Sequence, residues 1–389
     1  MSKTHHPETT VVHAGREPSK NGGAVNPPVY HASTIIFDTY AEFVQAENGT
    51  LDRAAYGRHG TQSNRLLESA LAELEGAPKC LLTASGLNAI AITLTALLKP
   101  GDHLLMADCV YSPTRFFAEQ ELKRIGVNVE FYDPRTTKTI TDSITDKTKL
   151  VYIESPGSLT FEVQDIPAIA KAAHAKGAIV VIDNTWATPL FFKPFENGVD
   201  VSIHSATKYI GGHSDLMMGV INTTEKLYPA IKRSYKNFGI ACGPDDIYLA
   251  QRGLRTLTLR VKAQEKSALE IARWLKKHPA VSRVLHPALP DCPGHEIWQR
   301  DYTGSTGLFS FILKKHLSEK QTAAFVEALK LFKMGYSWGG YESLLIPLEA
   351  KKIRSAVKWQ PEGSGFRIFC GLENIEDLKT DLETALAKI

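Results

Sequence analysis

Cysteine is scarce in this chain, and its five copies are scattered at Cys80, Cys109, Cys242, Cys292 and Cys370, an odd number with no Cys-x-x-Cys pair. That pattern excludes a disulfide framework and a cysteine-built zinc site. An excess of one charge is also missing. The formal net charge is only +3, basic and acidic residues are interspersed, and no run of like charge occurs. Neither a nucleic-acid face nor a membrane-surface patch is therefore expected. No apolar run approaches bilayer-spanning length, and Met1-Ser2-Lys3-Thr4-His5-His6-Pro7 holds no apolar signal core, so a cytoplasmic protein is expected. His5 and His6 have no second cluster at ligand spacing, and no metal site is expected from them.

What is present is a pattern of alternating elements. Residues 1–60 carry several breakers, including Asn21-Gly22-Gly23 and Pro27-Pro28, and read as an extended arm. From residue 61 the pattern changes: Leu66, Leu67, Ala70, Leu71 and Leu74 fall on one helical face. Strand candidates then alternate with helices, at Leu104 to Ala107, Val127 to Tyr132, Leu150 to Glu154, Ala178 to Asp183 and Val201 to Ser205. Such alternation means an α/β fold with a mostly parallel, doubly wound sheet. A long helix is expected from about 245 to 275. Beyond it, Gly307 to Leu313 reads as a strand in a smaller α+β unit. The expected division is an arm at 1–60, an α/β domain at 61–255 and an α+β domain at 256–389.

Three segments carry chemistry. Val201-Ser202-Ile203-His204-Ser205-Ala206-Thr207-Lys208 is a short strand whose end presents two hydroxyls and a lysine to one spot. Hydroxyls suit phosphate oxygens, and a lysine amine condenses with an aldehyde, which are the needs of pyridoxal 5′-phosphate. Upstream, Gly177 to Asp183 is a continuous apolar run ending in an acid. Alone, Asp183 reads as a turn or cap residue; beside Lys208 it reads as the partner of a protonated pyridine nitrogen. Ala84-Ser85-Gly86-Leu87 opens an apolar helix, where the free N–H groups of Gly86 and Leu87 can receive a phosphate.

With these segments in order, the chain resembles the Cys/Met-metabolism family of pyridoxal-phosphate-dependent enzymes, a fold-type I group. The resemblance runs from Thr10-Val11-Val12-His13-Ala14-Gly15 to Arg367-Ile368. It includes Asn26-Pro27-Pro28-Val29-Tyr30, Tyr56-Gly57-Arg58, Ser85-Gly86, Tyr111, Ile182-Asp183-Asn184-Thr185, Ser205-Ala206-Thr207-Lys208-Tyr209 and Arg252-Gly253-Leu254-Arg255-Thr256. It implies that Lys208 carries the cofactor and moves the α-proton, and that Asp183 holds the ring nitrogen. Gly86, Leu87, Ser205 and Thr207 would hold the phosphate. Tyr111 would stack on the ring, with a role as an acid left open. Tyr56 and Arg58 would reach the phosphate of a neighbouring subunit, so a dimer with shared sites, and beyond it a tetramer, is implied. Arg367 would clamp the α-carboxylate of an amino-acid substrate.

The segment Met334-Gly335-Tyr336-Ser337-Trp338-Gly339-Gly340-Tyr341-Glu342-Ser343 separates branches of the family. The γ-lyases and γ-synthases carry Glu-Ser-Leu-Gly-Gly here, whereas this chain has Tyr336 for the Glu and Trp338 for the Leu. That departure points to the β-lyase branch, with Tyr336, Ser337 and Trp338 shaping the substrate site and Tyr235 contributing to its distal end. The implied reaction is α,β-elimination of L-cystathionine to homocysteine, pyruvate and ammonia, in methionine biosynthesis. Alternatives are a γ-lyase, a methionine γ-lyase, a broad cysteine-conjugate β-lyase, or a regulatory protein that binds the cofactor with little turnover.

Overall fold

The computed structural model describes residues 5–389. Its larger sheet has seven strands: β1 (Lys79–Thr83), β2 (His103–Ala107), β3 (Asn128–Tyr132), β4 (Thr148–Glu154), β5 (Ile179–Asp183), β6 (Val201–Ser205) and β7 (Gly219–Thr223). Their order across the sheet is β1-β7-β6-β5-β4-β2-β3. Strands β2 to β6 pair in parallel, and only β7 runs against its neighbours β1 and β6. Helices cover both faces, so the central strands are apolar throughout rather than alternating: Leu150, Val151, Val180, Val181 and Ile182 are fully buried.

The covering helices show why these residues fold as they do. In the helix Ile166–Ala175, Ile166, Ile169, Ala170 and Ala173 recur at helical spacing and are buried, and the side chain of Asp165 caps its first turn. The helix Gln62–Glu75 opens on a reciprocal Thr61–Asn64 capping box and stops at Gly76, which takes the left-handed conformation at φ 80°. Each fully buried leucine on such faces contributes roughly 1.5–3 kcal/mol of apolar burial.

A second sheet of four antiparallel strands follows, β8 (Val281–Leu285), β9 (Leu308–Leu313), β10 (Leu344–Pro347) and β11 (Gly365–Phe369), in the order β10-β11-β9-β8. The helix Leu257–Lys277 joins the two sheets' cores: Leu257 and Val261 pack in the first, and Ala268, Ile271 and Leu275 in the second. In β11, Phe366 stacks on Phe311 and meets Phe325 edge-on, with centroids 5.6 and 4.7 Å apart. Alternation then turns Arg367 and Phe369 the other way, towards the large sheet, where Phe369 lies 6.1 Å from the ring of Tyr209.

Two features differ from the sequence reading. The expected long helix is two, Pro244–Leu254 and Leu257–Lys277, broken at Arg255-Thr256. The first part of the arm is not extended: Pro7–His13 is a helix, started by Pro7 and anchored by buried Thr10 and Val11. The main-chain oxygens of Val11 and Ala14 accept from Arg255 at 2.8 Å. Farther along, the helix Tyr40–Glu47 buries nothing on its own chain, and Ile36 is 78% exposed.

Candidate active site

The parallel strands end on one edge, where α/β sheets gather their ligands. β1 leads to Ser85-Gly86, β2 to Tyr111, β4 ends at Glu154, β5 at Asp183 and β6 at Ser205, with Lys208 one turn beyond. Of the expected residues, this edge gathers Gly86, Leu87, Tyr111, Asp183, Ser205, Thr207 and Lys208; strand β11 adds Arg367, and the loop before β10 adds Ser337 and Trp338.

Ser85 caps the helix Gly86–Leu97: its hydroxyl accepts from the Asn88 N–H at 3.1 Å and its carbonyl from Ala89 at 3.0 Å. The first-turn amides of Gly86 and Leu87 are left to an incoming anion. A Cβ on Gly86 would meet Ser205 Cβ at 2.7 Å and Oγ at 2.9 Å, so only glycine lets the hydroxyl lie against this helix start. The Ser205 N–H donates to Thr185 Oγ1 at 2.9 Å, and that hydroxyl donates to Asp183 Oδ1 at 2.5 Å. One chain of hydrogen bonds thus ties the anion seat to the acid. The Thr207 hydroxyl is engaged with Met218, donating to its carbonyl at 3.3 Å and accepting from its N–H at 3.1 Å.

Lys208 Nζ donates to Ser337 Oγ at 2.6 Å and lies 5.4 Å from the centre of the Trp338 ring. Burial, then the Arg367 guanidinium, lower its pKa to about 8, with Asp183 opposing. Arg367 Nη2 donates to the Ser337 carbonyl at 3.0 Å, and burial lowers its own pKa to about 10. Ser337 therefore holds the amine by its side chain and the guanidinium by its main chain. It does so with φ 80°, a left-handed conformation uncommon in non-glycine residues. Gly339 follows at φ 85°, where a Cβ would sit 2.9 Å from the main chain of Lys208 and Tyr209. Trp338 packs against Tyr209 at 5.3 Å.

Burial raises the pKa of Asp183 despite its two bonds from Thr185. Tyr111 is 45% exposed, and burial, then Glu154 and Asp183, raise its phenol pKa, so it holds its proton at neutral pH. Its N–H donates to Glu154 Oε2 at 2.7 Å. Glu154 was not singled out in the sequence, although Leu150 to Glu154 shows the same signal as Asp183, an apolar strand ending in an acid.

Four expected residues have their contacts elsewhere. Tyr56 and Arg58 stack 5.7 Å apart on the arm, and Arg58 reaches the carbonyl of Lys236 at 3.3 Å. Tyr235, on the same helix Tyr228–Asn237, is buried with the Lys232 ammonium 5.1 Å over its ring. Tyr336 is 95% exposed. Tyr56, Arg58 and the helix of Tyr235 thus form a second group, and that helix packs on the helix Gly86–Leu97.

Residues 8–387 match the model of the Cys/Met metabolism PLP-dependent enzymes, and the chain belongs to that family. It is 41% identical to the cystathionine beta-lyase MetC of Escherichia coli, with 98% of each chain covered. It is 44% identical to the L-alanine/L-glutamate racemase of Wolbachia pipientis, over 98% of this chain and 97% of that one. The crystal structure of metB from Corynebacterium glutamicum superposes with a TM-score of 0.91 at 32% identity, over 99% and 98% of the chains.

The chain's own residues fit pyridoxal phosphate. Asp183 is a half-buried acid whose bonds among the described residues come from Thr185, and the Lys208 amine and Arg367 guanidinium are held on uncharged oxygens of Ser337. The two free amides of the helix start complete a set suited to a ligand with a cationic ring, an aldehyde and a phosphate.

Proposed function

We propose that this protein is a carbon–sulfur lyase that performs α,β-elimination on L-cystathionine, yielding homocysteine, pyruvate and ammonia. The observation that carries the reading is Ser337, which sets the amine of Lys208 and the guanidinium of Arg367 on two atoms of one residue. A base for the α-proton and a clamp for the α-carboxylate are thereby kept in fixed relation, as chemistry at the α-carbon of an amino acid requires.

When bound, pyridoxal phosphate supplies the aldehyde that captures the substrate amine and the electron sink that makes the α-proton acidic. The protein does the rest. Gly86, Leu87 and Ser205 would seat the phosphate, and Thr207 would trade its bond to Met218 for it. Asp183 sits to pair with the ring nitrogen. Arg367 takes the α-carboxylate as a planar fork. Lys208, with its pKa near 8, takes up the α-proton and can pass one on. Tyr111 would cover the ring and, holding its own proton, could give one to the departing sulfur but would be a poor base at neutral pH. Trp338 walls the pocket beside Lys208.

Breaking the β rather than the γ bond is supported by Tyr336-Ser337-Trp338, which lacks the glutamate of the γ-specific pattern, and by the MetC relative. The second group, of Tyr56, Arg58 and Tyr235, supports a site completed by a second copy of the chain. So do the exposed apolar residues Ile36, Tyr40 and Phe43 on the arm, which bury little on their own chain. The free state of all five cysteines supports a cytoplasmic location, and methionine biosynthesis is the corresponding role.

The test is chromatographic identification of the keto acid formed from L-cystathionine, with the Lys208→Ala protein as control. Pyruvate formed by wild type and not by the variant is expected. D-alanine from L-alanine without any keto acid from cystathionine would move the reading to the racemase activity named for the Wolbachia relative.

A further inference from the structure

Glu154 stands beside Asp183 and plays no part in the roles above. β4 and β5 are parallel, and their register pairs Glu154 with Asp183 at the last position of each strand. Residues paired in this way project to the same face of a sheet. Two carboxyls therefore leave adjacent strands at one spot, the pole assigned to the ring nitrogen.

The cations near this spot are bonded elsewhere. Arg354, whose charge reaches Glu154, donates Nη1 to the Asp108 carbonyl at 2.8 Å, and Nη2 to the Ser158 carbonyl at 3.0 Å and Thr160 Oγ1 at 2.7 Å. His204 and Lys208 are the cationic groups that reach Asp183: the imidazole of His204 lies against Glu75 at 2.9 Å, and Lys208 donates to Ser337. Glu154 does have one firm bond, from the Tyr111 N–H to its Oε2 at 2.7 Å. That N–H belongs to the residue entering the short helix Ser112–Phe117, and fixing it fixes where the Tyr111 ring starts.

Neighbouring buried carboxyls do not both ionise cheaply, and the one without a cation keeps the proton. Asp183 acquires a cation when the ring binds; Glu154 does not. We propose that in the holoenzyme Glu154 is a positioning residue carried as the neutral carboxylic acid, which pins the main chain of Tyr111 and leaves Asp183 the sole anion at the ring-nitrogen pole. The inference rests on the reading of Asp183 and Tyr111 given above.

The groups facing Glu154 are Asp183 from β5, Tyr111 from the end of β2, Arg354 from the second sheet's unit, and Glu162 from the loop after β4. Burial, then Asp183, push the Glu154 carboxyl well up; the Tyr111 N–H and Arg354 oppose them, and Glu162 adds to the rise. The electrostatics thus agree with the geometry. A neutral acid still accepts the Tyr111 N–H, so positioning costs no negative charge.

Glu154→Gln and Glu154→Ala holoenzymes test the proposal. Glutamine keeps the shape, the neutrality and an oxygen for the Tyr111 N–H. The pH titration of the visible cofactor band should be the same in Glu154→Gln as in wild type. Glu154→Ala leaves that N–H unpaired and should lower kcat about tenfold, most of which Glu154→Gln restores. Infrared spectra of the wild-type holoenzyme should show a protonated-carboxyl carbonyl band that Glu154→Gln removes, a readout that stands even if the alanine variant does not fold. A titration displaced by about one pH unit in Glu154→Gln would show an ionised Glu154 and overturn the proposal. So would the absence of the infrared band, or an alanine variant with wild-type kcat. Asp183→Asn is the separate control. If it leaves the visible band and its titration untouched, the assignment of Asp183 fails, whatever Glu154 does.

Discussion

Lys208 should capture the cofactor at neutral pH far faster than an ordinary lysine. The reacting species is the neutral amine. At the usual pKa of 10.5, only about one lysine in 3,000 is neutral at pH 7; with the pKa lowered to about 8, about one in ten is. The gain is about 300-fold in reactive amine, before any gain from orientation. The sign follows from the causes: burial and the Arg367 guanidinium disfavour the ammonium, and Asp183 only partly restores it. The assay is stopped-flow absorbance as the cofactor-free protein takes up pyridoxal phosphate. The rate constant should rise about tenfold per pH unit up to about pH 8 and then level. Arg367→Ala removes a cation and should move the plateau to higher pH; Asp183→Asn should move it lower. A rate still climbing with unit slope above about pH 9, as for an exposed lysine, would refute the reasoning.

Ser337→Ala deletes the hydroxyl that accepts from Lys208, a bond worth roughly 1.5–3 kcal/mol when one partner is charged, so kcat should fall about 10- to 100-fold with less change in KM. Ser337→Gly should fall as far even though glycine suits φ 80°, and recovery in the glycine variant would show that backbone strain was the cause. Arg367→Lys keeps the charge but loses the planar fork, and the KM for cystathionine should rise about 10- to 100-fold while the visible cofactor band persists. Arg58→Ala should weaken binding of the phosphate about tenfold at unchanged oligomer size, and unaltered affinity by equilibrium dialysis would remove Arg58 from the proposed shared site.

The parts of the site legible in sequence are those in which one short segment holds both the structural signal and the chemistry. Asp183 ends an apolar run, Lys208 follows a strand that ends in Ser205, and Gly86 opens a helix. Each carries its position in its own neighbourhood. Glu154 carries the same local signal as Asp183, but its meaning depends on β4 lying beside β5 in register, which no local pattern states. Strand β7 was missed because Gly219-Val220-Ile221-Asn222-Thr223 is a short antiparallel return inside a parallel sheet, and the alternation of strand and helix passes over it. The sequence places Ser337 near the Arg367 clamp, and the structure adds a contact the sequence does not show: its hydroxyl lies on Lys208, 129 residues away. That contact depends on an unusual φ, and residue type alone does not reveal it. Tyr336 was expected at the substrate and faces solvent on its own chain. Its neighbour Ser337, turned by that φ, contacts Lys208 and Arg367.

The central claim is that the bond broken lies on the β-carbon, and the fate of the two halves of the substrate tests it most directly. L-cystathionine carrying carbon-13 in its three-carbon half, followed by NMR with the pyridoxal-phosphate-loaded enzyme, should place the label in pyruvate and leave homocysteine unlabelled. Label appearing in cysteine, with unlabelled 2-oxobutyrate beside it, would contradict the account and show cleavage at the γ-carbon.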